Sequence, residues 1–504
     1  MPTESDLLST YPPDLAIPAE EVALAGRAAP QDPPRILVVL DDDPTGTQSV
    51  ADLPVLTQWD VADFAWAFGQ GKPAVYVLTN TRSLDEPEAA RRNAEIVRNA
   101  LAAAAGPGAP RIGFVSRGDS TLRGHYPLEP DTIMATVREI TGETTDGVVL
   151  VPAFPEAGRV TIGGVHYVRA GEDRLVPVSD TEFAGDATFG YRHSALARYI
   201  EEKSAGRIAA ASVIPLGLDI IRAGSATSSS EASAAAIADA LEDAADGVPV
   251  IADIVTENDL RALALGLVEA ERRGKKLLYR VGPPFVRARI GQEVRAQLTA
   301  DEASEGAGAS RAGGLIVVGS HVGVTTRQLR VLTEQHHHAH IAEIDVEQLL
   351  DDRSDRHLDA VVQDVVDHLT DADVILQTSR LLVRTSDAAS SLRIARTVSA
   401  AVVAVVDRVL ALRPPRFVIA KGGITSSDVA AHGLHIRRAV IRGPMLPGIV
   451  SMWQAVDGPA AGIPFVVFAG NVGDDASLAE VTRKLSTLFP TAEPAHALDG
   501  VTHD

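Results

Sequence analysis

Arg35 to Val50 reads RILVVLDDDPTGTQSV, an apolar run that breaks directly into three carboxylates, a proline, a glycine and two threonines. Ile36 to Leu40 is aliphatic throughout and does not alternate with polar residues. That pattern suits a strand buried on both faces, as in a parallel sheet covered by helices. Such a strand delivers its chemistry at its carboxyl end, where open α/β sheets bind ligands. Asp41, Asp42 and Asp43 are therefore expected in a crevice, with Pro44 and Gly46 turning the chain there. Three adjacent carboxylates repel one another when ionised, which makes an acidic turn serving solubility alone the poorer reading.

Outward from this strand, Val61 to Gly69 reads as a short helix and Ala74 to Thr79 as a second strand. Pro87 to Ala104 follows as a long helix, led in by acidic residues and carrying a first-turn proline. Strands at Arg111 to Ser116, Gly147 to Val151, Ile208 to Ile214, Val248 to Ile254 and Lys276 to Val281 alternate with helices near Pro130 to Ile140, at Asn258 to Arg273 and after Pro284. Strand and helix in alternation specify a parallel α/β arrangement. Thr299 to Gly314, TADEASEGAGASRAGG, is small and polar with no apolar period, and reads as a linker. A second alternation begins beyond it, with strands at Leu315 to Gly319, Val374 to Gln377, Arg416 to Ala420 and Pro464 to Ala469, and helices at Thr325 to Gln335, Leu358 to Leu369 and Ala388 to Leu412. The expected fold class is α/β: two α/β domains with mainly parallel sheets and an active-site cleft between them. The divisions are a loosely held extension over 1–34 that packs on a neighbour, a first domain over 35–298, a linker over 299–314, a second domain over 315–490 and a tail over 491–504.

At 504 residues the chain is too long for one ordinary core. Its formal charge of −21 argues against nucleic acid and anionic membranes as partners, since both demand a basic face. Cysteine is absent, which removes disulfides and thiol chemistry and suits a cytoplasmic setting. The acidic, proline-rich start lacks the form of a secretory signal, and no run is long enough to span a bilayer.

The first domain holds three further groups. Ser116 to Tyr126, SRGDSTLRGHY, follows a strand and concentrates an aspartate, hydroxyls, two arginines and a histidine. A small polyhydroxylated anion needs such a set: Arg117 and Arg123 to pair with a carboxylate, Asp119 and Ser120 to hold hydroxyls. Val151 to Tyr167, VPAFPEAGRVTIGGVHY, is a proline-punctuated loop whose Arg159 and His166 could close over a ligand. Asn80, Thr81 and Arg82 stand just past the second strand, at the same end of the sheet as the aspartates, and are candidate substrate contacts.

The second domain carries glycine-rich turns at strand ends: Lys421 to Ser427 (KGGITSS), Ala469 to Gly473 (AGNVG) and Gly319 to Thr326 (GSHVGVTT). Glycines let backbone amides approach a phosphate, hydroxyls complete an anion site, and Lys421 adds a point charge in a chain with only six lysines. Three such turns in one domain point to a nucleotide, although no GxxxxGK[ST] loop and no GxGxxG after a strand is present. The cluster His336, His337, His338 and His340 is read as an exposed helix end without a carboxylate at ligand spacing, so no metal site is expected.

These motifs resemble the four-carbon acid sugar kinase family over about Ile36 to Leu488. The match rests on Asp42, Asp43, Thr45 and Gly46; on DSTLRG at Asp119 to Gly124; on PAFPEAGR at Pro152 to Arg159; and on Gly422, Gly423, Thr425 and Ser426. The resemblance implies an amino-terminal sugar-acid domain, a carboxyl-terminal nucleotide domain, and ATP-dependent phosphorylation of threonate, erythronate or a 3-oxo-tetronate by a cytoplasmic enzyme, with a homodimer as one possible assembly. Carried over by residue, Ser320, Gly422, Gly423, Thr425 and Gly470 contact ATP, and Asp42, Asp43, Asp119 and Arg123 face the sugar acid; the sequence reading adds Lys421, Ser426 and Asn471 to the nucleotide side and Arg82, Arg117, Ser120 and Arg159 to the sugar-acid side. Asp43 or Asp42 is the expected base, and Mg²⁺ is expected to arrive with ATP. Here the aspartate pair follows Asp41 where the family usually has alanine, GGITSS has Ile424 in place of glutamate, and FAGNVG stands for a KSGNFG-type loop. Asp41, Asp43 and Thr45 also fit the DxDxT strand end of haloacid dehalogenase-type phosphatases, with Asp41 as nucleophile and Gly473, Asp474 and Asp475 as the acidic metal loop. A sugar-acid-binding protein without catalysis is the third reading.

Overall fold

A computed structural model gives the structure of residues 3–27, 33–171, 173–305, 313–319, 322–351, 353–379, 388–470 and 472–489. The first domain contributes β1 (Arg35–Asp41), β2 (Leu53–Leu56), β3 (Ala74–Leu78), β4 (Arg111–Arg117) and β5 (Gly147–Val151). A small antiparallel sheet of β6 (Arg159–Ile162), β7 (Val165–Arg169) and β8 (Leu175–Pro177) comes next, then β9 (Ile214–Leu216), β10 (Val248–Ala252) and β11 (Leu277–Val281). The second domain adds β12 (Leu315–Val318), β13 (Ala339–Ile344), β14 (Asp373–Thr378), β15 (Val418–Lys421), β16 (Arg438–Leu446), β17 (Val450–Ala455) and β18 (Pro464–Phe468).

β1 is buried on both faces, as its composition requires. Ile36, Val38 and Leu40 pack with Phe64, Ile96, Val97 and Ile133 from the helices on one side. Leu37 and Val39 pack on the other, in a core that includes Leu263 and Leu267 of the helix Glu257–Arg272 and continues to Val317, Ala420 and Val467 of the second domain. Each such side chain removed from water contributes about 1.5–3 kcal/mol.

The two domains share one sheet rather than owning one each. Its fifteen strands run in the order β13-β14-β12-β15-β18-β17-β16-β2-β3-β1-β4-β11-β5-β10-β9. Both outer parts are parallel, but the joins β2/β16, β16/β17 and β17/β18 are antiparallel. The two parallel parts therefore run in opposite senses. From β1 to β15 there are six ladder steps, and at roughly 20–25° of twist per step the accumulated rotation is on the order of 120–150°. That rotation undoes most of the reversal, so the carboxyl ends of β1 and β15 emerge toward a common region. The 3-10 turn Pro44–Ser49 after β1 accordingly packs against the helix Gly423–Asp428 after β15. The indole of Trp453 on β17 donates to the Thr47 hydroxyl at 2.9 Å and anchors that turn.

Several expectations are corrected. Residues 3–27 strap onto their own domain, with Ile17 and Val22 in its core, Glu4 paired with Arg169 at 2.6 Å and the Pro12 carbonyl accepting from Arg222 at 2.9 Å. The apolar face of the helix Ala19–Ala25 is what the sequence reading of this stretch passed over. Thr299 caps a short helix, Ala300–Ser304, inside the proposed linker, whose residues 306–312 lie outside those described. Ile208 to Val213 is loop and 3-10 turn, and the strand there is Ile214–Leu216. Among the described residues no helix is long and apolar enough to cross a membrane.

The seam is tied by charge as well as by the β2/β16 ladder. Buried Asp63 accepts from Arg437 at 2.6 Å and Arg438 at 2.9 Å, and Arg437 also pairs with Asp60. Replacing Asp63 with alanine leaves both arginines without their shared carboxylate. Asp63→Ala is expected to cost about 3 kcal/mol, read as a lower urea midpoint with the fluorescence of Trp59, Trp66 and Trp453 as the probe.

Candidate active site at the domain junction

The sheet register sets the site. Asp41 at the end of β1 lies opposite Leu78 of β3 and Arg117 of β4. Arg117 donates to Asp41 at 2.9 Å and lies 3.7 Å from Asp42. Both Asp41 and Arg117 are buried, and burial pushes the Asp41 carboxyl up to about 7 against the pull of Arg117. Arg117 is thus an internal counter-ion to Asp41, already engaged, rather than an open partner for a ligand carboxylate.

Asp42 and Asp43 are held by Arg82. Asn80 adopts a left-handed conformation (φ +52°) and starts the short turn Thr81–Ser83 that presents Arg82 back over β1. Its guanidinium grips Asp42 through Nη2 at 2.6 Å and Nε at 3.3 Å, and reaches Asp43 through Nη1 at 2.9 Å. Asp43 also accepts from the Thr45 amide at 2.9 Å and the Thr45 hydroxyl at 2.5 Å, which caps the 3-10 turn. Burial raises the Asp42 carboxyl despite Arg82. Burial acts on Asp43 too, but Arg82 and Thr45 overcome it and hold its carboxyl below the ordinary range. Exposure separates the pair: the Asp43 side chain is 23 % exposed and that of Asp42 1 %.

Behind Asp42 stands Arg280 of β11, a functional candidate absent from the sequence reading. It lies 4.0 Å from Asp42, donates to Glu129 at 2.5 Å and bonds the Ser116 hydroxyl at 2.8 Å. Its only sequence signal is a charge inside the apolar run LLYRV. The glycines of RGDSTLRG make room for it: a Cβ on Gly118 would come within 2.5 Å of its guanidinium, and one on Gly124 (φ +120°) would lie 2.9 Å from it and 2.8 Å from Asp42.

The DSTLRG loop forms the outer wall. Asp119 accepts from Arg123 at 2.7 Å and from the Thr121 hydroxyl; burial opposes its ionisation, yet Arg82 and Arg123 hold its carboxyl well below the usual range. Arg123 and Arg159 both lie over the ring of Phe183, at 5.1 and 5.9 Å. Phe183 was not singled out in the sequence because it sits in an unremarkable turn far along the chain. Arg159 donates to the Ala157 carbonyl at 2.6 Å, but its buried Nε has no hydrogen-bond partner. Ser120 is buried, and its carbonyl lies 2.8 Å from Nε2 of His166. Burial pushes His166 down to about 4, so the neutral ring donates from Nε2 and accepts from Thr161 at Nδ1, fixing the loop.

Across the junction, β12, β15 and β18 are neighbours and parallel, which sets their three glycine-rich turns side by side. Gly422 has φ +131°, open to glycine alone, and its amide donates to Phe468 at 2.8 Å. Gly319 closes on the Thr425 side chain, and the Gly470 carbonyl accepts from the Thr325 hydroxyl at 2.9 Å. The Ser426 hydroxyl is spent within its own turn, 2.7 Å from the carbonyls of Ala420 and Gly422. Lys421 lies beneath the turns: its Nζ donates to the Ala469 carbonyl at 2.7 Å and sits 3.8 Å over the Phe468 ring, and burial pushes it down to about 7. Ser320 and Asn471 lie outside the described residues. Gly423 faces the first domain, where a Cβ on it would meet only the Asp43 carboxylate, at 4.0 Å. The acidic end of β1 and the glycine-rich turn after β15 are therefore direct neighbours.

A sugar-binding N-terminal domain matches residues 37–289, and a nucleotide-binding C-terminal domain of the same family matches residues 315–478. The chain belongs to the four-carbon acid sugar kinase family. It is 26 % identical to the D-erythronate kinase of Heliobacterium modesticaldum over 349 residues, 67 % of this chain and 70 % of that one. Its fold resembles solved proteins of Salmonella typhimurium LT2 (TM-score 0.64, 18 % identity, 90 % of this chain and 100 % of that) and of Haemophilus influenzae (TM-score 0.60, 18 % identity, 88 % and 99 %).

The phosphatase reading fails on this kinase scaffold. A nucleophilic Asp41 needs an exposed carboxylate, and Asp41 is buried against Arg117. Asp474 caps the turn before the helix Ser477–Leu485, and Asp475 pairs with Arg327 at 2.8 Å. The crowding around Gly124 gives a direct test of the site. Gly124→Ala is expected to lower stability by about 1–3 kcal/mol through its backbone conformation and to displace Asp42 and Arg280, with the urea midpoint and activity falling together.

Proposed function

We propose that the chain transfers the terminal phosphoryl group of ATP to a hydroxyl of a four-carbon sugar acid, with D-erythronate the first candidate substrate. The observation that carries this reading is the approach of Asp43 to Gly423 across the domain junction, which brings a partly exposed, ionised carboxylate beside the backbone of a glycine-rich turn. The kinship with a D-erythronate kinase supports the substrate class.

In this reading Asp43 is the base. It remains charged at neutral pH because Arg82 and Thr45 stabilise the carboxylate, and it accepts the proton of the attacking hydroxyl as the phosphoryl group departs from the nucleotide. Asp42, buried and doubly held, orients Arg82 rather than touching substrate. Asp119 and Ser120 line the hydroxyl side, and Arg159 with Arg123 receives the substrate carboxylate. Arg159 suits that role because its guanidinium makes no ion pair among the described residues and donates to the Ala157 carbonyl.

Gly422, Gly423, Thr425 and Gly470 would hold the phosphates of ATP, with Ser320 and Asn471 belonging to the same turns. Their fit rests on the open side of Gly423 and the glycine-only conformation of Gly422. Both oxygens of Asp42 and of Asp43, and one of Asp119, already accept from Arg82, Arg123, Thr45 and Thr121, so in this reading Mg²⁺ would come on the nucleotide rather than in a cage of these carboxylates. Bound there, the ion offsets the negative charge of the phosphates.

Asp43→Asn is expected to lower kcat by at least about 100-fold while leaving KM for the acid within about threefold. Unchanged turnover would remove Asp43 as base. Arg159→Met is expected to raise KM for the acid about tenfold or more, the worth of a charged hydrogen bond. Lys421 loses its proton as pH rises through about 7, which removes the positive charge beneath the glycine-rich turns without removing a direct phosphate contact, so KM for ATP is expected to rise over that interval. Lys421→Met should show a high KM with no such inflection. The deciding experiment is ADP production with Mg·ATP against D- and L-erythronate, D- and L-threonate and their 3-oxo forms. Turnover on one acid supports the reading, and no turnover on any of them overturns it.

A further inference from the structure

We propose that His340, Asp364 and His368 form a binding site for a divalent transition-metal ion of the Zn²⁺ class, remote from the domain junction. His340 belongs to β13, the strand at the outer edge of the sheet, two strands beyond β12. Asp364 and His368 lie one turn apart on the helix Ser354–His368, which packs beside β13. One donor atom from each of the three lies within 4.8 Å of the other two. Nε2 of His340 is 2.9 and 3.0 Å from the two Asp364 oxygens, and Nδ1 of His368 is 3.2 Å from one of them and 2.9 Å from the Asp364 carbonyl. The two imidazole rings stack with centroids 3.5 Å apart and planes within 5°, so binding one ion through both requires a side-chain rotation that brings their in-plane lone pairs to a common point.

The donor set suits borderline metals. Two imidazoles and one carboxylate leave a fourth tetrahedral position for water, whereas Mg²⁺ and Ca²⁺ prefer all-oxygen sites. The spacing explains why the sequence hid it. Asp364 and His368 form an i, i+4 pair on one helical face, and His340 comes from a strand more than twenty residues earlier. The histidine run itself contributes one member only. Its first residue, His336, is buried and paired with Asp373 at 2.6 Å, and His337 and His338 are exposed. The expectation of an exposed helix end with no nearby carboxylate is thus corrected at both His336 and His340. All three ligands are partly exposed, at 29, 39 and 43 %, so an ion can reach them.

An ion held here would clamp the edge strand to its covering helix. A ligating imidazole nitrogen must be free of its proton, so affinity for the ion falls with acidity. Titration of the untagged full chain with Co²⁺, followed by visible absorption and by competition with Zn²⁺, tests this. Wild type and His337→Ala/His338→Ala are expected to bind one ion with the strong absorption of four-coordinate cobalt, and Zn²⁺ is expected to raise their Tm. His340→Ala and Asp364→Asn are expected to bind at least about tenfold more weakly and to lose the Tm shift, with metal-free Tm near that of wild type. Binding that survives in His340→Ala, or that disappears in His337→Ala/His338→Ala, would assign the ion to the histidine run and overturn the proposal. So would the absence of binding in wild type.

Discussion

Arg82 is the cation that allows two consecutive carboxylates to share the end of one buried strand. At an effective dielectric constant of 20, two unit charges 4 Å apart repel by about 4 kcal/mol, and Asp41, Asp119 and Glu129 add to the load. The protein answers with a matching set of guanidinium groups: Arg82 on Asp42 and Asp43, Arg117 on Asp41, Arg123 on Asp119 and Arg280 on Glu129. Arginine suits this work because its planar fork binds two oxygens at once and keeps its charge when buried. The balance leaves two groups distinct from the rest: Asp43, ionised and partly open, and Arg159, whose guanidinium donates to the Ala157 carbonyl and makes no ion pair among the described residues.

Much of the scaffold was legible because it is written in local patterns. The unbroken run Ile36 to Leu40 specified a strand covered on both faces, and the helices Glu257–Arg272 and Ala388–Leu412 followed from their apolar period and flanking residues. The clustering of DSTLRG and the glycine-rich turns near strand ends was legible for the same reason: parallel strands present their carboxyl ends together.

What stayed hidden depends on partners distant in the chain. Leu53–Leu56 is too short to stand out, and its antiparallel pairing with Arg438–Leu446, which merges two expected sheets into one, has no local signature. Arg117 reads as a free guanidinium until the register of β1 and β4 sets Asp41 opposite it. Lys421 reads as a phosphate ligand until burial turns its ammonium toward a carbonyl and a ring. Glu129, Arg280 and Phe183 each need the fold to bring them to the aspartates or to the arginines around them.

The continuous sheet also bears on how such a molecule moves. Where two domains are joined by a flexible linker, closure is a swing about a hinge. Here the connection is a ladder of hydrogen bonds through β2, β16, β17 and β18, so the distance between the end of β1 and the turn after β15 changes only as those strands wind or unwind. The junction behaves as a torsion spring. Side chains that stiffen its central strands, Trp453 above all, govern how far its two faces can travel.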